Sequence, residues 1–324
     1  MTGFFILPGR MDVPFTYRVR KVRDGGVYCL RSVEVYQRLA EDSSILRTRA
    51  TEEQIIVEGR ETEAEDLTPC FTATVSFKRR EDSAKYVAFR YQTPHVSAGH
   101  LLKPYASVLD GKTPEDHPTA PGADAMWWTQ GLDADVWTEA GEKFPGVDIR
   151  KIDMRAYNAG LGSSDQAGVW RQLSFYRLIK ADEEDHDGDD KTSTLNLHAC
   201  AHLYASDRNS LFLITRALGF EDQVVAMSSL SHTVIFHGDP AGLRMCDEQG
   251  QSIWFLQEAW TENGGLNRGC HESRLWRCDR DGRDEIIATT KQDGMIRVPA
   301  GSTSADTMVE KRETRMNKIS REKL

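Results

Sequence analysis

Apolar and polar residues alternate with a period of two over many short stretches of the chain, the signature of strands with one face buried. The clearest runs from Phe71 to Lys78, where Phe71, Ala73, Val75 and Phe77 share one face. Phe15, Tyr17 and Val19 alternate with Thr16, Arg18 and Arg20 in the same way. Further strands are expected at Val27 to Tyr36, Tyr86 to Tyr91, Ile152 to Tyr157, Val169 to Leu178, Val224 to Phe236, Ile253 to Trp260, His271 to Cys278 and Ile286 to Arg297. One segment breaks the pattern. Leu195 to Ala205 is small or apolar nearly all round, as a helix surrounded by protein should be. Leu211 to Leu218 reads as a second, shorter helix. A buried helix among antiparallel strands implies an α+β fold in which a sheet wraps around that helix.

The order of elements occurs twice. Phe4 to Gly9 is followed by a strand, a turn at Asp24-Gly25-Gly26, a strand reaching Tyr36 and the strand from Phe71. Thr233 to Gly238 is followed by a strand, a turn at Asn263-Gly264-Gly265, a strand reaching Cys278 and the strand from Ile286. Between the copies, Lys103 to Gln130 is rich in Pro, Gly and Asp and reads as a connector, with Met126, Trp127 and Trp128 docking it on a surface. The expected division is a first repeat over 1–105, a linker over 106–131, a second repeat over 132–300 and a charged tail over 301–324.

At 324 residues the chain is long enough for two such units. The net charge is −9, but seven of the acids lie between Asp182 and Asp190, and without them it falls to −2, which is no footprint for nucleic acid. That loop lacks the glycine and the closing glutamate of a calcium loop. No run of about 20 apolar residues is present to span a membrane, and Met1 to Arg10 lack the regions of a signal peptide, so an intracellular protein is expected. The six cysteines show neither disulfide nor metal spacing, and no cofactor is implied. Cys270 beside His271 is set aside as a nucleophile and base because neighbours on a strand point to opposite faces.

Three short segments carry candidate chemistry. Tyr204-Ala-Ser-Asp207 puts a carboxylate just past the long helix, where it could cap the next helix or face a cleft. Ser228 to His237 is a strand rich in hydroxyls, and Ile287 to Arg297 places Gln292 and Gly294 inside an otherwise good strand. A strand glycine weakens packing unless another group approaches closely. Together, Tyr204 to Asp207, Ser229-Leu-Ser-His232 with Phe236-His237, and Ala288 to Gly294 with Arg297 resemble the motifs of the acyl-CoA thioesterase II family, the double hot-dog thioesterases that include peroxisomal members. Phe5 to Gly9, Val22 to Gly25 and Arg31 to Gln37 are similar to that family's first repeat.

The resemblance implies a double hot-dog fold and hydrolysis of fatty acyl-CoA to free acid and CoA. Asp207, Ser229 and Gln292 fall at the family's catalytic positions, and His232, Gly294 and Arg268 are expected substrate contacts. Asp207 would take the proton of the attacking water, while Ser229 and Gln292 hold the water and polarise the carbonyl. Departures include Ser231 in place of an acid, an extra charged segment between Arg38 and Pro69, and a start at the FLRPG-like strand, which leaves the first repeat without its helix.

A hot-dog enoyl-CoA hydratase would need a histidine where Phe212 stands, and a non-catalytic acyl-CoA-binding protein is the alternative of another class. Arg321-Glu-Lys-Leu324 is close to the peroxisomal Ser-Lys-Leu address but has Glu322 at the small-residue position. A homo-oligomer is compatible with all of this.

Overall fold

The computed structural model describes residues 1–10, 13–38, 54–57, 67–79, 85, 103–120, 146–159, 169–179, 191–208, 211–220, 223–237, 239–247, 249–277 and 285–302. The expected strand at 86–91, the tryptophan pair at 127–128, the acidic loop at 182–190 and most of the charged tail lie outside them. By contacts the chain divides into two units: Met1–Tyr91 with Ser229–Thr233, and Gln92–Ser228 with Val234–Leu324.

The first unit is a sheet of β1 (Thr2–Phe5), β2 (Phe15–Asp24), β3 (Tyr28–Arg38), β4 (Gln54–Val57) and β5 (Leu67–Lys78), in the order β4-β2-β3-β5-β1. The pairings are antiparallel except for β2 with β4. Register puts Tyr17 opposite Val35, Val35 opposite Phe71 and Phe71 opposite Phe5, so the alternation read from the sequence becomes one apolar face. Among the described residues, no helix belongs to this unit.

The second unit holds β6 (Val147–Lys151), β7 (Gln172–Leu178), most of β8 (Ala226–Phe236), β9 (Phe255–Gly265), β10 (Arg268–Arg277) and β11 (Glu285–Arg297), ordered β8-β11-β10-β9-β7-β6. Helices α1 (Ala106–Leu109), α2 (Arg155–Ala159), α3 (Lys191–Asp207) and α4 (Phe212–Ala217) accompany it. One long helix against an antiparallel sheet is the α+β hot-dog arrangement expected.

Two corrections concern these elements. Ile152 to Tyr157 is not a strand: β6 stops at Lys151, and the Asp153 carboxylate accepts from the Arg155 amide at 3.0 Å, starting α2. Nor is the turn between β9 and β10 built on Gly264-Gly265. Those glycines stay in β9, and the chain reverses at Leu266 and Asn267, both at positive φ (51° and 60°) as a two-residue hairpin turn requires.

Helix α3 is longer than expected and is not buried all round. His198, Ala201, His202, Ala205 and Ser206 face the core, whereas Leu197, Cys200 and Tyr204 are exposed. The buried side joins Val147, Ile149, Tyr176, Val234, Phe255, Leu275 and Ile287 in one apolar cluster. Beneath the sheet's other face a second cluster gathers Tyr105, Leu109, Ile152, Leu173, Phe175, Leu256 and Trp276. The described part of the connector, 103–120, therefore packs on the second unit through Tyr105 and Leu109. Glu115 adds to the hold by accepting from the Trp254 indole at 2.7 Å.

His202 sits inside the first cluster with 0% exposure. Its Nε2 faces the Leu243 carbonyl at 3.0 Å and must donate, so Nδ1 accepts from the Tyr176 hydroxyl at 2.9 Å and the ring is neutral. Burial pushes its pKa down to about 4, and burial followed by the nearby amino-terminal charge does the same to His232 of the first unit. Both folded values lie below the ordinary 6.5, so their stabilisation is complete above about pH 6.5 and is lost as pH falls towards 4. Each contributes up to about 3 kcal/mol. Urea midpoints measured at pH 7.5 and 4.5 are expected to fall accordingly, and an unchanged midpoint would refute the assignment.

Candidate active site

Asp207 is the last residue of α3 and does not cap α4, whose cap position is Leu211. At the C-terminal end of a helix a carboxylate meets the negative pole of the aligned peptide dipoles. That position costs stability, and it is where a proton acceptor would be placed. The side chain points towards the sheet, where the Gln292 carboxamide on β11 donates from Nε2 to Asp207 Oδ1 at 2.5 Å. Gln292 is itself 1% exposed. Burial raises the Asp207 pKa above its usual value, opposed by the Gln292 hydrogen bond and then by the electrostatic influence of His271.

His271 is the residue that sequence reasoning missed. It pairs directly with Gln292 between β10 and β11, is 0% exposed, and brings Nε2 to 3.1 Å from Gln292 Oε1. The alternation argument held for its neighbour: the Cys270 thiol, whose pKa is raised by burial, keeps company with Lys291, Asp293 and Glu272. The signal for His271 was available only from strand register. One row further along, Ser273 and Thr290 hydroxyls meet at 2.6 Å, and Gln257 Nε2 donates to Ser273 Oγ at 3.1 Å and to the Ser206 carbonyl at 3.3 Å. The end of α3 therefore rests on a polar patch of sheet within an otherwise apolar unit.

Gly294 lies two residues beyond Gln292 and pairs with Gly269, which pairs with Gly264 on β9. This row of three glycines seats the α4 segment. A Cβ at Gly264 would stand 2.8 Å from Leu218, and one at Gly269 2.9 Å from Ile214. At Gly294 it would stand 2.7 Å from the Ser228 carbonyl oxygen and closer still to Leu211. The close approach that the glycine permits is thus made by these two groups. Gly294→Ala is expected to cost about 1 to 3 kcal/mol by overpacking, read as a lower urea midpoint; wild-type stability would contradict this reading of the seat.

The other expected residues are placed as follows. Ser229 is half-buried on β8, in the stretch that counts with the first unit, and Asp207 and Gln292 meet within the second. His232 is buried opposite Gly3 of β1. Arg268, at the start of β10, is exposed on its side chain and bound to Asp293, with Nε donating at 2.8 Å. Phe212 opens α4 and supplies no proton-transfer group. Among the described residues, no group of three His, Cys, Asp or Glu side chains could hold a metal ion, and no helix is long and apolar enough to cross a membrane.

The chain is similar to the structure of acyl-CoA thioesterase II TesB2 from Mycobacterium marinum, with 18% identity over 93% of this chain and 81% of that one and a TM-score of 0.49. It is similar also to the tesB protein of Mycobacterium avium subs paratuberculosis, with 14% identity over 91% of this chain and 77% of that one and a TM-score of 0.47. A hot-dog protein from Alicyclobacillus acidocaldarius shows 17% identity over 92% and 78%, with a TM-score of 0.49. No curated protein sequence matches the chain significantly. The family model described as the acyl-CoA thioesterase C-terminal domain matches residues 114–296, which is more than half of the sequence and includes Asp207, Gln292 and His271. The chain belongs to the acyl-CoA thioesterase family.

Proposed function

We infer that this acyl-CoA thioesterase works by an Asp207-activated water, with Gln292 and Ser229 holding the water and polarising the thioester carbonyl. The observation that carries the reading is the half-buried Asp207 carboxylate fixed by the Gln292 amide. Water adds to the carbonyl carbon while Asp207 accepts its proton. The tetrahedral intermediate then expels CoA as a thiolate, a good leaving group because free thiols ionise near pH 8.5. The proton on Asp207 passes to the products, and no covalent acyl-enzyme is needed.

A base with a raised pKa sits nearer to neutrality, which suits it to accept a proton from water. The sign of the pH effect follows. Asp207 works deprotonated, so kcat/KM falls as pH drops through its pKa, and the fall begins above the ordinary aspartate range. His232, Gly294 and Arg268 as substrate contacts, fatty acyl chains as substrate, a peroxisomal location and the two-repeat division at 1–105 and 132–300 belong to the same proposal. The test is release of free CoA from acyl-CoAs of short to long chain, followed with a thiol reagent. Release supports the reading. No turnover at any length would favour a binding protein, and a product heavier by one water with CoA still attached would show hydration.

A further inference from the structure

We propose that His271 is a positioning residue that sets the orientation of the Gln292 carboxamide, and through it the proton affinity of Asp207. The inference rests on the reading of Asp207 as general base. A carboxamide has two chemically opposite ends, and turning it by half a turn exchanges donor for acceptor. In the orientation found, Nε2 donates to Asp207 Oδ1 at 2.5 Å and Oε1 faces His271 Nε2 at 3.1 Å. An amide oxygen only accepts, so His271 Nε2 carries the hydrogen. A flipped amide would present oxygen both to a carboxylate and to that N–H. Protonated at Nε2, the histidine accepts only one orientation, and that orientation gives Asp207 a donor.

The surroundings leave this duty to few groups. Gln292 and His271 are 1% and 0% exposed, so bulk solvent does not compete with their contact. On β9 the residue opposite His271 is Thr261, which does not titrate. Cys270 and Glu272 on β10, and Lys291 and Asp293 on β11, alternate with His271 and Gln292 and point to the other face, where Lys291 pairs with Glu272 at 3.0 Å and Arg268 with Asp293. Arg208 follows Asp207 in the chain, and Arg216 is the one charge on α4.

The experiment compares pH profiles of acyl-CoA hydrolysis for the wild type, Asp207→Asn, His271→Leu and His271→Gln, each checked for folding by its unfolding midpoint. Leucine keeps an apolar side chain at the site but cannot donate. With Gln292 free to turn its oxygen towards the carboxylate, kcat is expected to fall roughly tenfold or more at unchanged KM. The acid limb is expected to move up by about one pH unit. Glutamine, whose amide nitrogen reaches the place of Nε2, is expected to return the limb towards the wild-type position. An Asp207→Asn enzyme that turns over near the wild-type rate sinks the general-base reading itself. A strongly impaired Asp207→Asn with a wild-type profile in His271→Leu overturns the positioning role alone. Should neither histidine variant fold, ¹⁵N shifts of the wild-type histidines decide: a buried neutral ring protonated at Nε2 is expected, and absence of any such ring besides His198 and His202 would overturn the proposal.

Discussion

Asp207→Asn is expected to reduce acyl-CoA hydrolysis by roughly 10²- to 10⁴-fold, the range general base catalysis supplies, while leaving the protein folded. Asparagine keeps the shape and the acceptor oxygen that Gln292 Nε2 meets at 2.5 Å, so the contact between α3 and β11 can persist. What it removes is the capacity to take a proton. It also removes a charge that burial disfavours, so stability at neutral pH is expected to hold or rise slightly. Loss of turnover without loss of stability separates a catalytic carboxylate from a structural one. The companion Gln292→Leu takes away the donor and is expected to lower activity roughly 10²- to 10³-fold if the amide also meets developing charge. It would leave Asp207 without its amide partner and raise the acid limb further.

The largest effect on stability is expected at the opposite face of the same sheet. Trp276 on β10 is 0% exposed, fills the cluster formed with Tyr105, Leu109, Ile152, Leu173, Phe175 and Leu256, and donates its indole N–H to Glu258 Oε2 at 3.2 Å. Glu258 also accepts from the Tyr105 hydroxyl at 2.6 Å, with Arg171 and Arg274 each 4.0 Å away. Trp276→Ala would empty a large volume, costing about 3 to 5 kcal/mol, and remove one donor from a buried carboxylate, costing about 1 to 3 kcal/mol more. The sum approaches the whole stability of an ordinary domain, so the variant is expected to unfold or to lose most of its urea midpoint. Trp276→Phe keeps most of the volume and loses the hydrogen bond, so its cost should be nearer the second figure. Equal effects of the two variants would show that the indole N–H, and not the filled volume, dominates.

Strand alternation made the sheet legible because each residue pair repeats the same physical choice, apolar in and polar out. Phe71 to Phe77 therefore read correctly, as did the strands ending at Phe236, Arg277 and Arg297 within a few residues. Local capping overrode the same signal at Ile152 to Tyr157, where Asp153 captures the Arg155 amide and the chain turns helical. Hairpin geometry also lay beyond the pattern, since Leu266 and Asn267 carry the turn in place of the adjacent glycines.

The candidate site divides in the same way. Asp207 and Gln292 could be named because short segments around them resemble a family, and their contact spans 85 positions that no local pattern measures. His271 escaped because its significance lies in a register, opposite Gln292, that is fixed by pairing across two strands. Gly264 and Gly294 were singled out separately, but their alignment with Gly269 under α4 is a property of three strands at once.

The measurement that bears most directly on the mechanism is a single turnover of acyl-CoA in ¹⁸O-labelled water. If Asp207 activates water, the free acid from that first turnover carries the label and Asp207 does not. An unlabelled acid together with label in the Asp207 carboxylate would mean that the aspartate attacks the thioester itself, and would contradict the account.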